Sequence, residues 1–450
     1  MDKVTLYLPI EIKWRELNSN ILLSKFAAEY GFRVYLGSKL AISRLIKKKN
    51  KRAGVFIFKG GMETKQILKI REKIEKFIIL DQEISPSCLD FENVMKNRIW
   101  PGSEKYIDRY YVIGQVAFES GLKALKKLSK KIKKTGWPRK DLNRNEYKFF
   151  YKKKIKEIRD KYGNFIFFSS AFGFNSKKKI DRVYEFKKNH KWKSVRKGLK
   201  NEMVGAFSTL KEFEANIEIL RKLDKEKSCP QIIIRPHPAE DHNEWKKISK
   251  SFNKIKIIYE GDIDSWVYSS SALLHRGCAS AITAYMNGTP IAYPILKKDN
   301  IKKALPYQLS EHLYNFSDIL NFCKKNINKK PNPLKKFSNS FNRMVHIDKK
   351  FASENILDDI LDLNIKKEAN YKQNFFDIIL MSLNEKIKHK INYIKEIIGL
   401  KDNLMWAPQS QKLPGGIGKK EIKNILKRLS KNNKIRVNDV FKDCVIIEKI

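Results

Sequence analysis

The chain has 450 residues, with 94 Lys and Arg against 49 Asp and Glu for a formal net charge of +45. That length exceeds one ordinary hydrophobic core and suits two domains of roughly 150 to 200 residues plus an extension. With 42% hydrophobic residues, 11% aromatics and only 20 Gly and 14 Pro, the composition excludes a disordered polyelectrolyte.

The basic excess is mostly Lys, spread along the chain beside abundant Ile and Asn, without interleaved basic and aromatic runs. It therefore reads first as compositional bias, and no specific nucleic-acid partner is expected. The electrostatic alternative is peripheral contact with an anionic membrane, where each basic residue near the surface contributes roughly 1 kcal/mol. Cys88, Cys229, Cys278, Cys323 and Cys444 show no CxxC spacing, which suggests neither a zinc site nor a disulfide framework and fits a reducing cytoplasm. No signal-peptide pattern and no apolar run near 18 residues occurs, so any membrane contact is expected to be peripheral, at the inner face of the cytoplasmic membrane.

In chain order, Val4–Pro9 is an apolar strand, and Leu22, Leu23, Phe26, Ala27 and Tyr30 recur at helical spacing before Gly31. Strands follow at Val34–Leu36, Val55–Phe58, Phe77–Leu80 and Tyr110–Ile113, with a helix over Lys65–Lys76. Such alternation predicts a parallel sheet whose crevice lies at the carboxyl ends of the strands. The Gly and Pro-bearing KTGWPRKDL at 134–142, before a helix-favouring stretch over Asn145–Asp160, predicts a domain boundary at 143. A second series runs through strands at Phe165–Phe168, Gln231–Ile234, Ile255–Tyr259 and Ser270–Leu274, with helices near Leu210–Leu223 and Ser280–Met286. After the linker-like NINKKPNPLKK the chain reads as largely helical. There an apolar stripe of Phe376, Ile379, Leu380, Leu383, Ile387, Ile391, Ile394 and Ile398 predicts packing on the first domain or, as a basic amphipathic helix, a membrane contact. The expected architecture is α/β: a Rossmann-like domain over 1–143, a second over 144–330, and a mainly helical extension over 331–450.

Two segments of the second domain are candidates for binding a nucleotide phosphate. Arg235-Pro236-His237-Pro238 directly follows an apolar strand, which puts His237 where a phosphate would sit, with Arg235 able to add a bidentate contact. His275-Arg276-Gly277-Cys278-Ala279-Ser280 lies between a strand and a helix. Small residues there let backbone N–H groups face an anion, with Ser280 as helix cap or direct ligand. In the first domain Glu11 and Glu16 follow the first strand, and Asp81 and Glu83 follow Phe77–Leu80. Any of these four carboxylates is a candidate general base, a role that needs its pKa raised by partial burial. No GxGxxG, Walker A, GxSxG or HExxH pattern is present, so neither a dinucleotide cofactor nor a metal is expected.

Taken together, LPIEIKWREL, AAEYGFRVYLG, FKG at 58–60, LDQE at 80–83, TGWPRKDL, RPHP, HRGCASAITAYMNGTP and, less clearly, LPGG at 413–416 resemble the surface carbohydrate biosynthesis protein family. The resemblance covers roughly residues 4 to 300 and implies a GT-B-like fold. RPHP and HRGCAS also resemble the His-Pro and Ser/Thr motifs of bacterial sialyltransferases and Kdo transferases. By that resemblance His237 and Ser280 contact the phosphate of a cytidine monophosphate, and the Asp81–Glu83 pair supplies the base. Cys278 stands where a hydroxyl residue is usual, and the acidic motif lacks its terminal Gly. The function so implied is a metal-independent glycosyltransferase of bacterial surface polysaccharide, without cofactor. Its donor would be a CMP-activated sugar of Kdo or nonulosonic acid type, its acceptor a glycan or glycolipid. A CDP-polyol phosphotransferase of teichoic-acid type, a sugar epimerase and a non-catalytic polyanion-binding protein are the competing readings.

Overall fold

The computed structural model of the protein describes residues 2–84, 88–189, 199–295, 304–334, 336–369, 383, 387, 390–391, 394, 409–430 and 434–450. The chain divides into two compact α/β units. Unit 1 comprises residues 1–150, 337–397 and 413–450, and unit 2 comprises residues 151–336 and 398–412. The boundary expected at 143 is thus corrected to 150, and the expected extension over 331–450 is not a separate domain. The chain re-enters unit 1, crosses to unit 2 and returns.

Unit 1 is built on strands β1 (Thr5–Ile10), β2 (Arg33–Ser38), β3 (Val55–Phe58), β4 (Lys76–Leu80), β5 (Arg109–Val112) and β6 (Ile132–Lys134), all parallel, in the order 2-1-3-4-5-6. The strand VFIF is buried along its whole length, as expected for a parallel sheet covered on both faces. A C-terminal hairpin extends this sheet. Strands β13 (Ile435–Phe441) and β14 (Cys444–Lys449) pair with each other, and β14 adds antiparallel to β2. This corrects the expectation of a helical C-terminus. The turn places Asp443 at φ +61°, and β14 approaches β2 so closely that a Cβ at Gly37 would run into the Asp443 carbonyl.

TGWPRKDL lies inside unit 1 because its residues bind the returning chain. Gly136 takes φ +91°, a left-handed conformation. Asp141 accepts from Ala352 N at 3.0 Å, Ser353 N at 2.9 Å and Ser353 Oγ at 2.7 Å, at the start of the helix Ala352–Leu361. Burial pushes the Asp141 carboxyl up to about 6, against the lowering effect of the Ser353 and Ala352 donors. A raised carboxyl retains its proton in the folded state while the unfolded chain releases it, so this contribution to stability is complete below the ordinary value of 3.8 and is lost as pH rises from there through about 6. The penalty of Asp141→Asn is therefore expected to be larger at pH 4.5 than at pH 7.5, by on the order of 2 kcal/mol, as read from urea unfolding at the two pH values.

Unit 2 is a six-stranded parallel sheet of β7 (Ile166–Ser169), β8 (Ile232–Arg235), β9 (Lys256–Ile257), β10 (Ala272–His275), β11 (Ile291–Pro294) and β12 (Glu311–Leu313). Its order, 12-11-10-7-8-9, is that of a doubly wound dinucleotide-binding sheet, in which the strand sequence reverses between the first and fourth strands. Here those strands are β7 and β10. Each unit is therefore Rossmann-like, with its topological switch point at β1/β3 or β7/β10.

Among the described residues no helix is long and apolar enough to cross a membrane. Leu383, Ile387, Ile391 and Ile394 of the apolar stripe are helical and 44–53% exposed. Phe376, Ile379, Leu380 and Ile398 lie outside the described residues.

Candidate functional site

In unit 2 the sheet register sets His275, Ser169 and Arg235 side by side at the carboxyl edge. Three loops leave from these ends, and β7 sits between the other two. His237 is the best placed of the expected ligands. Its backbone N–H donates to Ser170 Oγ at 3.1 Å and Glu240 Oε2 at 3.0 Å, and Glu240 N donates back to its carbonyl at 3.0 Å. The half-buried ring accepts from Ala239 N through Nδ1 at 3.2 Å. An accepting Nδ1 assigns the neutral ring's proton to Nε2, the tautomer that can donate to a phosphate oxygen.

Glu240 holds this turn in shape. Its buried carboxylate accepts from Ser170 Oγ, from Phe172 N at 2.8 Å and from Trp245 Nε1 at 2.8 Å, as well as from His237 N. Burial raises its pKa against the lowering effect of these donors. From a distant stretch of sequence, Gln411 donates to the carbonyls of Pro238 at 2.8 Å and Glu240 at 3.3 Å. Neither Glu240 nor Gln411 stands out in the sequence. Glu240 is one acid among 49 acidic residues, and Gln411 meets the turn only after the chain has left unit 2 and returned.

Two expected ligands are used internally instead. Arg235 directs its Nη1 and Nη2 to the carbonyls of Glu260 and Gly261, both at 2.6 Å, and is buried. It ties two loops together rather than forming the expected bidentate phosphate contact. His275 is fully buried, with Nδ1 accepting from Gly277 N at 3.0 Å and Nε2 2.8 Å from Ser310 Oγ. Burial, reinforced by Arg276, lowers its pKa to about 3, so the ring stays neutral and braces the loop. Gly277 at φ +72° supplies the left-handed turn. Ser280 is the first residue of the helix Ser280–Asn287, whose cap position belongs to Ala279. Its Oγ lies 2.5 Å from Cys278 Sγ, which in turn donates to Ser169 Oγ at 3.3 Å. Cys278 thus links the β7 and β10 loops, and the helix start adds its partial positive charge at the switch point.

In unit 1 the four candidate carboxylates do converge at the strand ends, but around cations. Lys59 Nζ lies 2.9 Å from Glu11, 2.8 Å from Glu16 and 3.2 Å from Glu83. Arg15 Nη2 reaches Glu16 at 3.1 Å and Glu83 at 2.7 Å, and Arg98 reaches Asp81 at 2.5 Å and Glu83 at 3.6 Å. Asp81 also accepts from Tyr110 OH at 2.7 Å and from the backbone of Glu83 and Ile84, which saturates it. Burial alone would raise Glu16 and Glu83, yet the Lys59 and Arg15 charges outweigh it and hold both at about 2. Glu11 is likewise lowered, Lys59 and Lys39 overcoming its burial. A general base raised by burial is therefore not what the structure presents. Neighbouring cations hold Glu11, Glu16 and Glu83 ionised, and Asp81 is spent on Arg98 and Tyr110. Lys59, Arg98 and Arg139, which create this electrostatic setting, carry no local signal in a chain with 94 Lys and Arg.

LPGG also acquires a location. Lys13, buried at the start of the helix Lys13–Glu29, donates to the carbonyls of Pro414 at 2.9 Å and Gly416 at 2.7 Å.

No family model and no curated protein sequence matches this chain. Among solved structures, it is similar to Methanocaldococcus jannaschii UDP-GlcNAc 2-epimerase in complex with UDP-GlcNAc and UDP, with 13% identity, 80% of this chain and 100% of that one covered, and a TM-score of 0.48. It is also similar to S. aureus MnaA with UDP, at 12% identity, 82% and 100% coverage and a TM-score of 0.47. A third likeness is to the wall teichoic acid polymerase TagF, at 11% identity, 80% and 89% coverage and a TM-score of 0.42. All three TM-scores are below 0.5, so these likenesses assign no activity to the chain, whose own geometry gives two Rossmann-like α/β units with a candidate phosphate site in the second.

Proposed function

We propose that this chain is a glycosyltransferase of bacterial surface-polysaccharide synthesis that holds the phosphate of a nucleotide-activated sugar at the β7/β10 switch point of unit 2. The observation that carries this reading is the His237 turn, in which Ala239 N–H donates to Nδ1 and so assigns the neutral ring's proton to Nε2, at a strand carboxyl end. The resemblance of RPHP and HRGCAS to His-Pro and Ser/Thr motifs favours cytidine monophosphate as the leaving nucleotide and an acidic sugar of Kdo or nonulosonic acid type as the group transferred. The acceptor is a glycan or glycolipid.

Thermal unfolding of the full chain with CMP, CDP and UDP tests the donor assignment. CMP is expected to raise the midpoint, and absence of any nucleotide effect overturns the assignment. Product analysis then separates the chemistries. A new glycosidic bond supports the proposal, a phosphodiester identifies a polyol-phosphate transferase, and conversion of UDP-GlcNAc without acceptor identifies an epimerase.

The exposed Leu383, Ile387, Ile391 and Ile394, with Lys386, Lys388, Lys390 and Lys395 in the same stretch, support peripheral contact with an anionic membrane. The full chain is expected to co-sediment with phosphatidylglycerol-containing vesicles and not with purely phosphatidylcholine vesicles. The double substitution Ile387→Glu, Ile391→Glu is expected to reduce that binding at least tenfold, and unchanged binding would remove the stripe from the interface.

A further inference from the structure

One cation of unit 1 has, among the described residues, no acceptor for the Nε/Nη2 edge of its guanidinium. Arg139, just beyond the carboxyl end of β6, donates its backbone N–H to Gln82 Oε1 at 3.3 Å, which joins its loop to the acidic loop after β4. Its Nε and Nη2 are closed off from solvent, and among the described residues no protein group accepts from them. These two atoms form the side-on edge of the guanidinium, the pair of parallel donors that matches the two oxygens of a carboxylate or phosphate. Arg15 Nε nearby is in the same condition, although Arg15 Nη2 is paired with Glu16 and Glu83.

The surrounding carboxylates do not fill this gap, because they are engaged by the other cations. Glu11 and Glu16 are held by Lys59, Glu83 by Arg15, Lys59 and Arg98, and Asp81 by Arg98. A buried guanidinium edge without an acceptor is costly in a folded protein. At the carboxyl end of a parallel strand, where ligands of such sheets dock, it is a feature expected of a binding site rather than of packing. Burial and the neighbouring Arg15 charge lower the Arg139 pKa to about 10, partly offset by Glu16, Glu83 and Asp81. The side chain therefore stays cationic at neutral pH.

We infer that the β-strand carboxyl edge of unit 1 binds an oxyanion, a carboxylate or phosphate carried by the acceptor, on the Nε/Nη2 edge of Arg139 with Arg15 beside it. This rests on the proposed transfer to a glycan or glycolipid and narrows the acceptor to an acidic one. An anion drawing on Arg15 also competes with Glu83 for that cation, so acceptor binding raises the basicity of the most exposed acid in direct contact with Arg15.

The test uses thermal unfolding of the full chain at constant ionic strength with glucuronate, glucose and inorganic phosphate as probes. Glucuronate or phosphate is expected to raise the midpoint of the wild type, and glucose is not. A response to glucuronate alone marks a carboxylate-bearing acceptor, and a response to phosphate alone a phosphate-bearing one. The shift is expected to be lost in Arg139→Lys, which keeps the charge and loses the fork, and in Arg139→Gln. It should persist in His237→Ala and in Lys156→Gln, an exposed control in unit 2. No shift in the wild type, a shift retained in Arg139→Lys, or a shift abolished by Lys156→Gln or His237→Ala each overturns the inference. Retained CMP stabilisation in Arg139→Lys certifies that the variant is folded. Should CMP have no effect on the wild type, circular dichroism provides the folding check, and an Arg139-dependent glucuronate or phosphate shift establishes the anion site while the donor reading fails.

Discussion

His237→Ala is expected to lower kcat/KM for sugar transfer by about 10²-fold, the loss that follows removal of one preorganised donor from developing phosphate charge. The same substitution should abolish the thermal shift produced by CMP. The fold is expected to survive, because the ring is half-buried and its Nδ1 accepts from the exposed Ala239 N–H, which water can satisfy. The turn itself depends on the His237 backbone, whose N–H and carbonyl are held by Ser170 and Glu240, and the substitution leaves these bonds in place. His237→Gln, which retains a donor, should recover part of the rate. If His237→Ala keeps wild-type kcat/KM and its CMP shift, the phosphate is bound elsewhere.

Glu16→Gln is expected to destabilise unit 1 by about 3 kcal/mol at pH 7, the penalty of removing one member of a buried ion cluster and leaving its partners underpaired. Glu16 is 3% exposed, and its carboxylate receives Lys59 Nζ, Arg15 Nη2 and Glu11 N at 2.8 to 3.1 Å. Its folded pKa of about 2 lies below the ordinary value of 4.5. The stabilisation it confers is therefore complete above about pH 4.5 and is lost as pH falls toward 2. Urea unfolding of wild type and variant at pH 7 and pH 3 measures this, and the gap between the two proteins should shrink at the lower pH. A gap independent of pH would mean that Glu16 acts by shape rather than charge.

These two residues mark the limits of what was legible. His237 could be found because an apolar run ending in Arg-Pro-His-Pro predicts a strand with its turn at the ligand-binding edge, and β8 ends at Arg235. Arg235 and His275 were equally visible, yet the Glu260 and Gly261 carbonyls and Ser310 consume them. Those partners lie 25 to 35 residues away and are brought near by strand order. The acids of unit 1 were also visible at their strand ends, whereas their cations were hidden among 94 Lys and Arg. The C-terminal hairpin was missed because it is specified less by its own pattern than by the open edge of β2, which β14 covers.

The alternation of buried apolar runs with helical segments, read along the sequence alone, determined that this protein has two parallel-sheet α/β halves and which residues leave the strand ends. Those are short-range properties, set by side-chain periodicity and by the turn chemistry of Pro and Gly. Only the tertiary structure decided that residues 337–397 and 413–450 complete unit 1. It alone showed that Arg235 and His275 are committed to protein partners, and that neighbouring cations hold three of the candidate carboxylates ionised. Pairing, burial and charge balance depend on distances between residues far apart in the chain, and folding sets those distances.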